Sequence, residues 1–182
     1  MLYQLFNNNK YILNNIEELD NIINKHHVKI LSFTYGKLTS LPNLSKFINL
    51  KELDCSNNQL TELTDLSNLI KLEKLYCEYN KLTDLSNLYN TKLQYLYCFN
   101  NNLLKLPDFN ILTNLKLLYC FNNKNLTTLP KNIIHCKTLY SYHKYNKYKY
   151  IYLLNDLINY YIENYYYYYI INYYNKKYLK LF

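Results

Sequence analysis

One short pattern, Leu-x-x-Leu-x-Cys-x-x-Asn, recurs along this chain and constrains its fold more than any other feature. It is spelled by Leu50, Leu53, Cys55 and Asn58, and again by Leu72, Leu75, Cys77 and Asn80. Leu93, Leu96, Cys98 and Asn101 repeat it, as do Leu115, Leu118, Cys120 and Asn123. An earlier copy reads Val28, Leu31, Phe33 and Gly36, with Phe in the cysteine slot and Gly in the Asn slot. The copies start 22, 22, 21 and 22 residues apart. A fixed period of this length marks a stack of similar coils, each burying its apolar face only against its neighbours.

Within each copy the alternation Leu-x-Cys predicts a short strand, in which the intervening residues point away from the core. The Asn that follows, at positions 58, 80, 101 and 123, falls where the chain turns out of the strand. A buried amide there satisfies backbone groups of its own and neighbouring turns, and stacked copies make an Asn ladder. Each backbone group left unpaired would cost about 1–3 kcal/mol. The return limb carries leucines at every third position: Leu38, Leu41 and Leu44; Leu60, Leu63, Leu66 and Leu69; Leu82, Leu85 and Leu88. That spacing predicts tight turns and 3₁₀ pieces, not a full α-helix.

The array is expected over residues 28–138, about five repeats. Before it, Ile12, Leu13, Ile16, Leu19, Ile22 and Ile23 stand at helical spacing and predict an amphipathic capping helix within residues 1–27. A cap is needed because an end coil exposes an unpaired strand edge. Residues 139–182 hold 16 of the 25 tyrosines. There Leu154, Leu157, Ile158, Tyr161, Tyr165 and Tyr168 keep helical spacing, so this segment reads as a helical C-terminal cap or as an aromatic tail that orders on a partner.

These residues resemble the leucine-rich repeat family, whose consensus is Leu-x-x-Leu-x-Leu-x-x-Asn/Cys-x-Leu. Leu63-Thr64-Asp65-Leu66-Ser67-Asn68-Leu69, echoed from Leu82 to Leu88, is similar to its short 22-residue subclass, which includes bacterial internalins and a phosphatase regulatory subunit. The resemblance implies an α/β solenoid with a parallel β-sheet on its concave face and short 3₁₀ turns on its convex face. It also implies a protein-binding scaffold and not an enzyme. Gly36 and the extra Asn125 depart from the pattern, and after Leu139 it decays.

Composition qualifies the rest. The chain has no Ala, Arg or Trp and a single Gly, and is rich in Asn, Lys, Ile, Leu and Tyr, as expected from an AT-rich genome such as that of a large DNA virus. The formal charge of +8 comes from lysines alone. Without arginine, the bidentate contacts that read phosphate and guanine are missing, which argues against dedicated nucleic-acid binding. No metal site follows from the four aligned thiols, because coils about 4.8 Å apart set sulfurs in a line and not around one point. Parallel Cβ vectors disfavour a bridge between neighbours. They are read as core, in a reducing compartment, and Cys136 beside His135 as incidental. No cofactor is implied: there is no Gly-rich phosphate loop and no catalytic spacing around His26, His27, His135 or His143. With no apolar leader after Met1 and no run long enough to span a bilayer, the expected location is intracellular and cytoplasmic.

The outward positions carry the functional expectation. With Leu and Cys inside, the third, fifth, seventh and eighth positions of each copy face the concave surface. They place Tyr76, Tyr79, Tyr95, Tyr97, Phe99, Tyr119 and Phe121 together at the C-terminal end, and polar residues at the N-terminal end. Contiguous exposed aromatics mark contact surfaces, and Tyr is favoured at interface hot spots. The expected function is docking of a protein partner there, with two alternatives: the Tyr-rich tail folding back over the patch, and a basic-aromatic single-stranded nucleic-acid binder.

Overall fold

The repeat dictates a coil whose apolar positions stack on those of the next coil, and the computed structural model has that architecture. It describes residues 9–13, 16–33, 36–85, 88–89 and 92–126, together with the backbone of 138–142 and 149–153. The strands are β1 (Lys10–Ile12), β2 (Ile30–Ser32), β3 (Glu52–Asp54), β4 (Lys74–Tyr76), β5 (Tyr95–Tyr97), β6 (Leu117–Tyr119), β7 (Thr138–Tyr142) and β8 (Lys149–Leu153). They form one sheet in sequence order. Strands β1 to β7 pair in parallel, and β8 closes the sheet antiparallel to β7.

Register follows from the repeat. Leu31, Leu53, Leu75, Leu96 and Leu118 are opposite one another at the centres of β2 to β6, and none exposes any surface. The slot that follows each strand continues the ladder: the backbone N–H of Cys55 donates to Tyr76 O at 2.8 Å, Cys77 to Tyr97 O at 2.9 Å, and Cys98 to Tyr119 O at 2.8 Å. A one-residue slip would turn every inward Leu and Cys to solvent, so the pairing has no near competitor.

The convex limb is built of successive i→i+3 turns. Phe47 N donates to Leu44 O at 2.9 Å, Leu69 N to Leu66 O at 2.9 Å, and Leu115 N to Leu112 O at 3.0 Å. Three-residue turns need an apolar residue every third place, and this is the leucine spacing seen in the sequence. Asx turns start several of them, with Asn43 Oδ1 accepting from Ser45 N at 2.8 Å and Asp65 Oδ1 from Ser67 N at 2.8 Å. That bond to Ser67 lowers the Asp65 pKa. Phe47 and Phe109, both fully buried, widen the core where they replace leucine.

The two ends differ from expectation. In place of an amphipathic helix over residues 11–24, the chain forms β1 and two 3₁₀ pieces, Ile16–Asn21 and Lys25–His27. Leu13 N donates to Ser32 O at 2.8 Å, which puts Leu13 in the slot that Phe33 and Cys55 hold later, and it is buried. The N-terminal segment is therefore one more coil of the stack. Ile23, assigned to the inner helix face, is 92 % exposed. Strand pairing won here because β1 covers the open edge of β2, which a short helix cannot satisfy hydrogen bond for hydrogen bond. At the other end, β7 straddles the expected boundary at 138/139, continuing the array in register with β6. The helix expected after Leu154 lies outside the described residues.

Candidate functional site

The Asn residues come first, because they hold the rim from which the site is built. Asn101 Nδ2 donates to Cys77 O at 2.9 Å, Cys98 O at 3.2 Å and Phe99 O at 3.4 Å, and its Oδ1 accepts from Leu82 N at 2.9 Å. Asn80 bridges Cys55 O, Cys77 O, Glu78 O and Leu60 N in the same way. Asn123 reaches Cys98 O, Cys120 O, Phe121 O and Leu103 N. Asn58 reaches Phe33 O, Cys55 O and Ser56 O, and accepts from both Gly36 N and Leu38 N at 3.0 Å. Each amide thus ties its own coil to the one before it.

The residue before each of three of these Asn is another Asn, at positions 57, 100 and 122, and all three adopt the left-handed conformation with φ of 57°, 52° and 54°. Asn tolerates that region because its short side chain bonds locally. Tyr79 holds the same slot with φ 54°. A bulky aromatic there is strained by about 1–2 kcal/mol, and its ring remains 52 % exposed, edge-on to Phe99 at 5.3 Å.

The four cysteines of the repeat are in no disulfide and are 0–1 % exposed. Burial raises the pKa of Cys55, Cys77 and Cys98, with neighbouring carboxylates or thiols adding to it. These thiols are small apolar fillers. Cys55 Sγ and Cys77 Sγ point at Tyr76 O (3.4 Å) and Tyr97 O (3.3 Å) of the next strand.

On the outward face the side chains form rows across the strands. The fifth-position row runs Asp54, Tyr76, Tyr97, Tyr119. Tyr76 and Tyr97 stack at 4.7 Å with planes 17° apart, and Tyr97 and Tyr119 at 5.0 Å and 9°. The seventh-position row holds Ser56, Glu78, Phe99 and Phe121, with Phe99 and Phe121 stacked at 4.4 Å and 16°. Rings of the two rows meet edge to face, Phe99 on Tyr119 at 6.4 Å and Tyr119 on Phe121 at 6.2 Å. The stacking distances match the spacing of neighbouring strands, about 4.8 Å, so in-register repetition creates the stacks without any special packing. Tyr95 heads the third-position row beside Lys74, whose Nζ is 6.0 Å from its ring centroid. Except for Tyr79, these rings are half-buried.

The N-terminal end of the same face is acidic and polar. Lys74 Nζ pairs with Glu52 Oε2 at 3.2 Å, which raises the lysine's pKa. Asp54 Oδ1 accepts from Ser56 N at 3.1 Å and Ser56 Oγ at 2.8 Å. Glu78 is pushed up to about 7 by burial, opposed by a hydrogen bond from its own backbone N–H and helped by Asp54, and its Oε2 is shielded from solvent with no hydrogen-bond partner. Asp54 and Glu78 belong to the polar outward positions of the repeat, and the signal that could single them out is their place where the tyrosine row and the phenylalanine row end. Among the described residues no cluster of metal-ligating side chains forms, and no helix is long and apolar enough to cross a membrane.

A one-dimensional stack of coils with an exposed sheet face defines a repeat scaffold. Residues 48–90 match the family model of leucine-rich repeats (two copies). The crystal structure of InlP from Listeria monocytogenes is similar with a TM-score of 0.54 and 33 % identity, over 63 % of this chain and 33 % of that one. The chain therefore spans one third of InlP's length. An internalin, inlF, from Listeria monocytogenes aligns at 21 % identity over 70 % of this chain and 51 % of its own, with a TM-score of 0.43. No curated protein matches. Residues 48–90 therefore carry leucine-rich repeats, and the parallel-sheet solenoid has the fold of such repeats.

Proposed function

We propose that this chain is a non-enzymatic scaffold that docks a protein partner on the aromatic half of its concave sheet, through Tyr76, Tyr79, Tyr95, Tyr97, Phe99, Tyr119 and Phe121. The observation that carries the reading is Tyr79: a strained, half-exposed ring in a slot that Asn fills in three other coils, at the margin of the stacked rows. Folding alone favours Asn there, and strained residues gather at functional sites. Stacking by itself also stabilises the sheet, so the rows without Tyr79 would argue less. The buried thiols, in no disulfide, support a reducing compartment, and we read the protein as cytoplasmic.

The test is affinity capture from the native source, comparing wild type with Tyr97→Ser/Phe99→Ser and with Tyr79→Asn, each checked by far-UV circular dichroism. Wild type should retain a protein that the double variant loses and the milder Tyr79→Asn variant holds more weakly. Equal retention by all three refutes the docking face. A low-salt shift of single-stranded RNA that the double variant abolishes would replace this reading with the nucleic-acid one. On this face, however, Lys74 is already paired with Glu52.

A further inference from the structure

We propose that the polar end of this face seats an arginine of the docked partner, its guanidinium laid on the outer face of Tyr76 and paired with Asp54 and Glu78. The inference rests on the docking reading above and names the partner's chemistry. The tyrosine stack ends at Tyr76: one face of that ring lies against Tyr97, and in the row on the other side stands Asp54. The cation–π contact among the described residues is Lys74 on Tyr95, leaving Tyr76 without one. A planar guanidinium continues an aromatic stack and presents its donors in a fork at the same time.

The acceptors are placed for it. Asp54 uses Oδ1 for Ser56, leaving its second oxygen to an incoming donor. Glu78 Oε2 is buried without a hydrogen-bond partner, so a turn of this side chain toward an arriving cation relieves the cost of its unmet bond. Among the described residues no ion pair involves Asp54 or Glu78, while Lys74 pairs with Glu52 and Lys51 with Glu73. The chain has no arginine of its own to supply.

The formal charge of +8 adds a constraint. Its field repels a polybasic segment, so recognition must come from a single desolvated contact beside apolar ones. From the outer face of Tyr76, between β3 and β4, to the Phe99–Phe121 pair, between β5 and β6, is about two strand spacings, roughly 10 Å. An extended segment covers that in about three residues. The partner segment therefore carries one arginine and an apolar residue about three positions away.

The experiment pans a random dodecapeptide display library on the full chain. Fluorescence polarisation then measures the enriched peptides against wild type, Asp54→Asn/Glu78→Gln and Tyr97→Ser/Phe99→Ser. Enriched peptides should carry the arginine–apolar pair. They should lose roughly tenfold or more in affinity on the carboxamide variant, and several-fold when their arginine becomes lysine. Should the double carboxamide variant fail to fold by circular dichroism, Asp54→Asn and Glu78→Gln are read singly, each expected to cost about threefold. Peptides that need Tyr97 and Phe99 but bind the carboxamide variant as they bind wild type overturn the arginine seat and leave the docking face standing. Peptides indifferent to both variants, or no enrichment, overturn both.

Discussion

Strands β2 and β3 share their inner pattern with β4 to β6, yet the two regions present opposite outer faces. Inside, both carry the central Leu, a small or aromatic filler after it, and an amide rim. Outside, the first offers half-buried Glu52 and Asp54 beside the buried Ser32 and Ser56, while the second offers stacked rings. A solenoid separates these demands, because neighbouring coils touch through inward positions and leave outward ones free to vary. The common part holds the fold, and the differing part carries the docking face proposed above.

The largest effect should come from the common part and be alike in both regions. Asn101→Ala removes four hydrogen bonds and strands buried carbonyls and an N–H, so it should cost about 3–5 kcal/mol in urea unfolding. Asn58→Ala should cost as much. A cost confined to one end would break the comparison.

Next come the rings, which belong to one region only. Tyr97→Ser removes two stacking contacts and should cost about 1–3 kcal/mol. Asp54→Ser, on the same row of the polar region, should stay within about 0.5 kcal/mol. Equal costs would mean that the rings add nothing beyond what any outward residue adds.

Glu78 lies at the seam and should respond to pH. Its carboxyl is raised in the folded chain from the ordinary 4.5 to about 7. Between those values the folded state binds a proton that the unfolded state has released, so stability falls as pH rises through this window. Above about pH 7 the cost of the buried charge is fully present. Glu78→Gln should therefore stabilise by about 1 kcal/mol at pH 8.5, allowing for solvent screening, and by nothing measurable at pH 4. A gain that is the same at both pH values would dismiss the buried charge.

The smallest effect is the most diagnostic. Tyr79→Asn relieves left-handed strain but loses the edge contact with Phe99, giving a net gain of up to about 1 kcal/mol in thermal unfolding. Stabilisation together with weaker partner binding would mark Tyr79 as held by function; a loss of stability would mark it as packing.

Much of this was legible in the sequence because a repeat displays its own register. Once Leu53 and Cys55 are inside, Asp54 must be outside, and the same holds coil by coil. The N-terminus departs from its helical pattern for a physical reason. Ile12, Leu13, Ile16 and Leu19 fit helical spacing, but they also fit one more strand and a turn, and a lone copy without Cys or Asn offers no second copy to fix its register.

The sequence by itself determined the coil, its inner face and the outward positions of the rings, since these follow from periodicity. Only the tertiary structure decided three things: that the first segment joins the sheet, that the rings stack in two rows, and that half-buried Glu78 has one carboxylate oxygen without a hydrogen-bond partner. Each depends on which coils lie side by side and at what distance, and that is set by hydrogen bonding between strands, not by any residue alone.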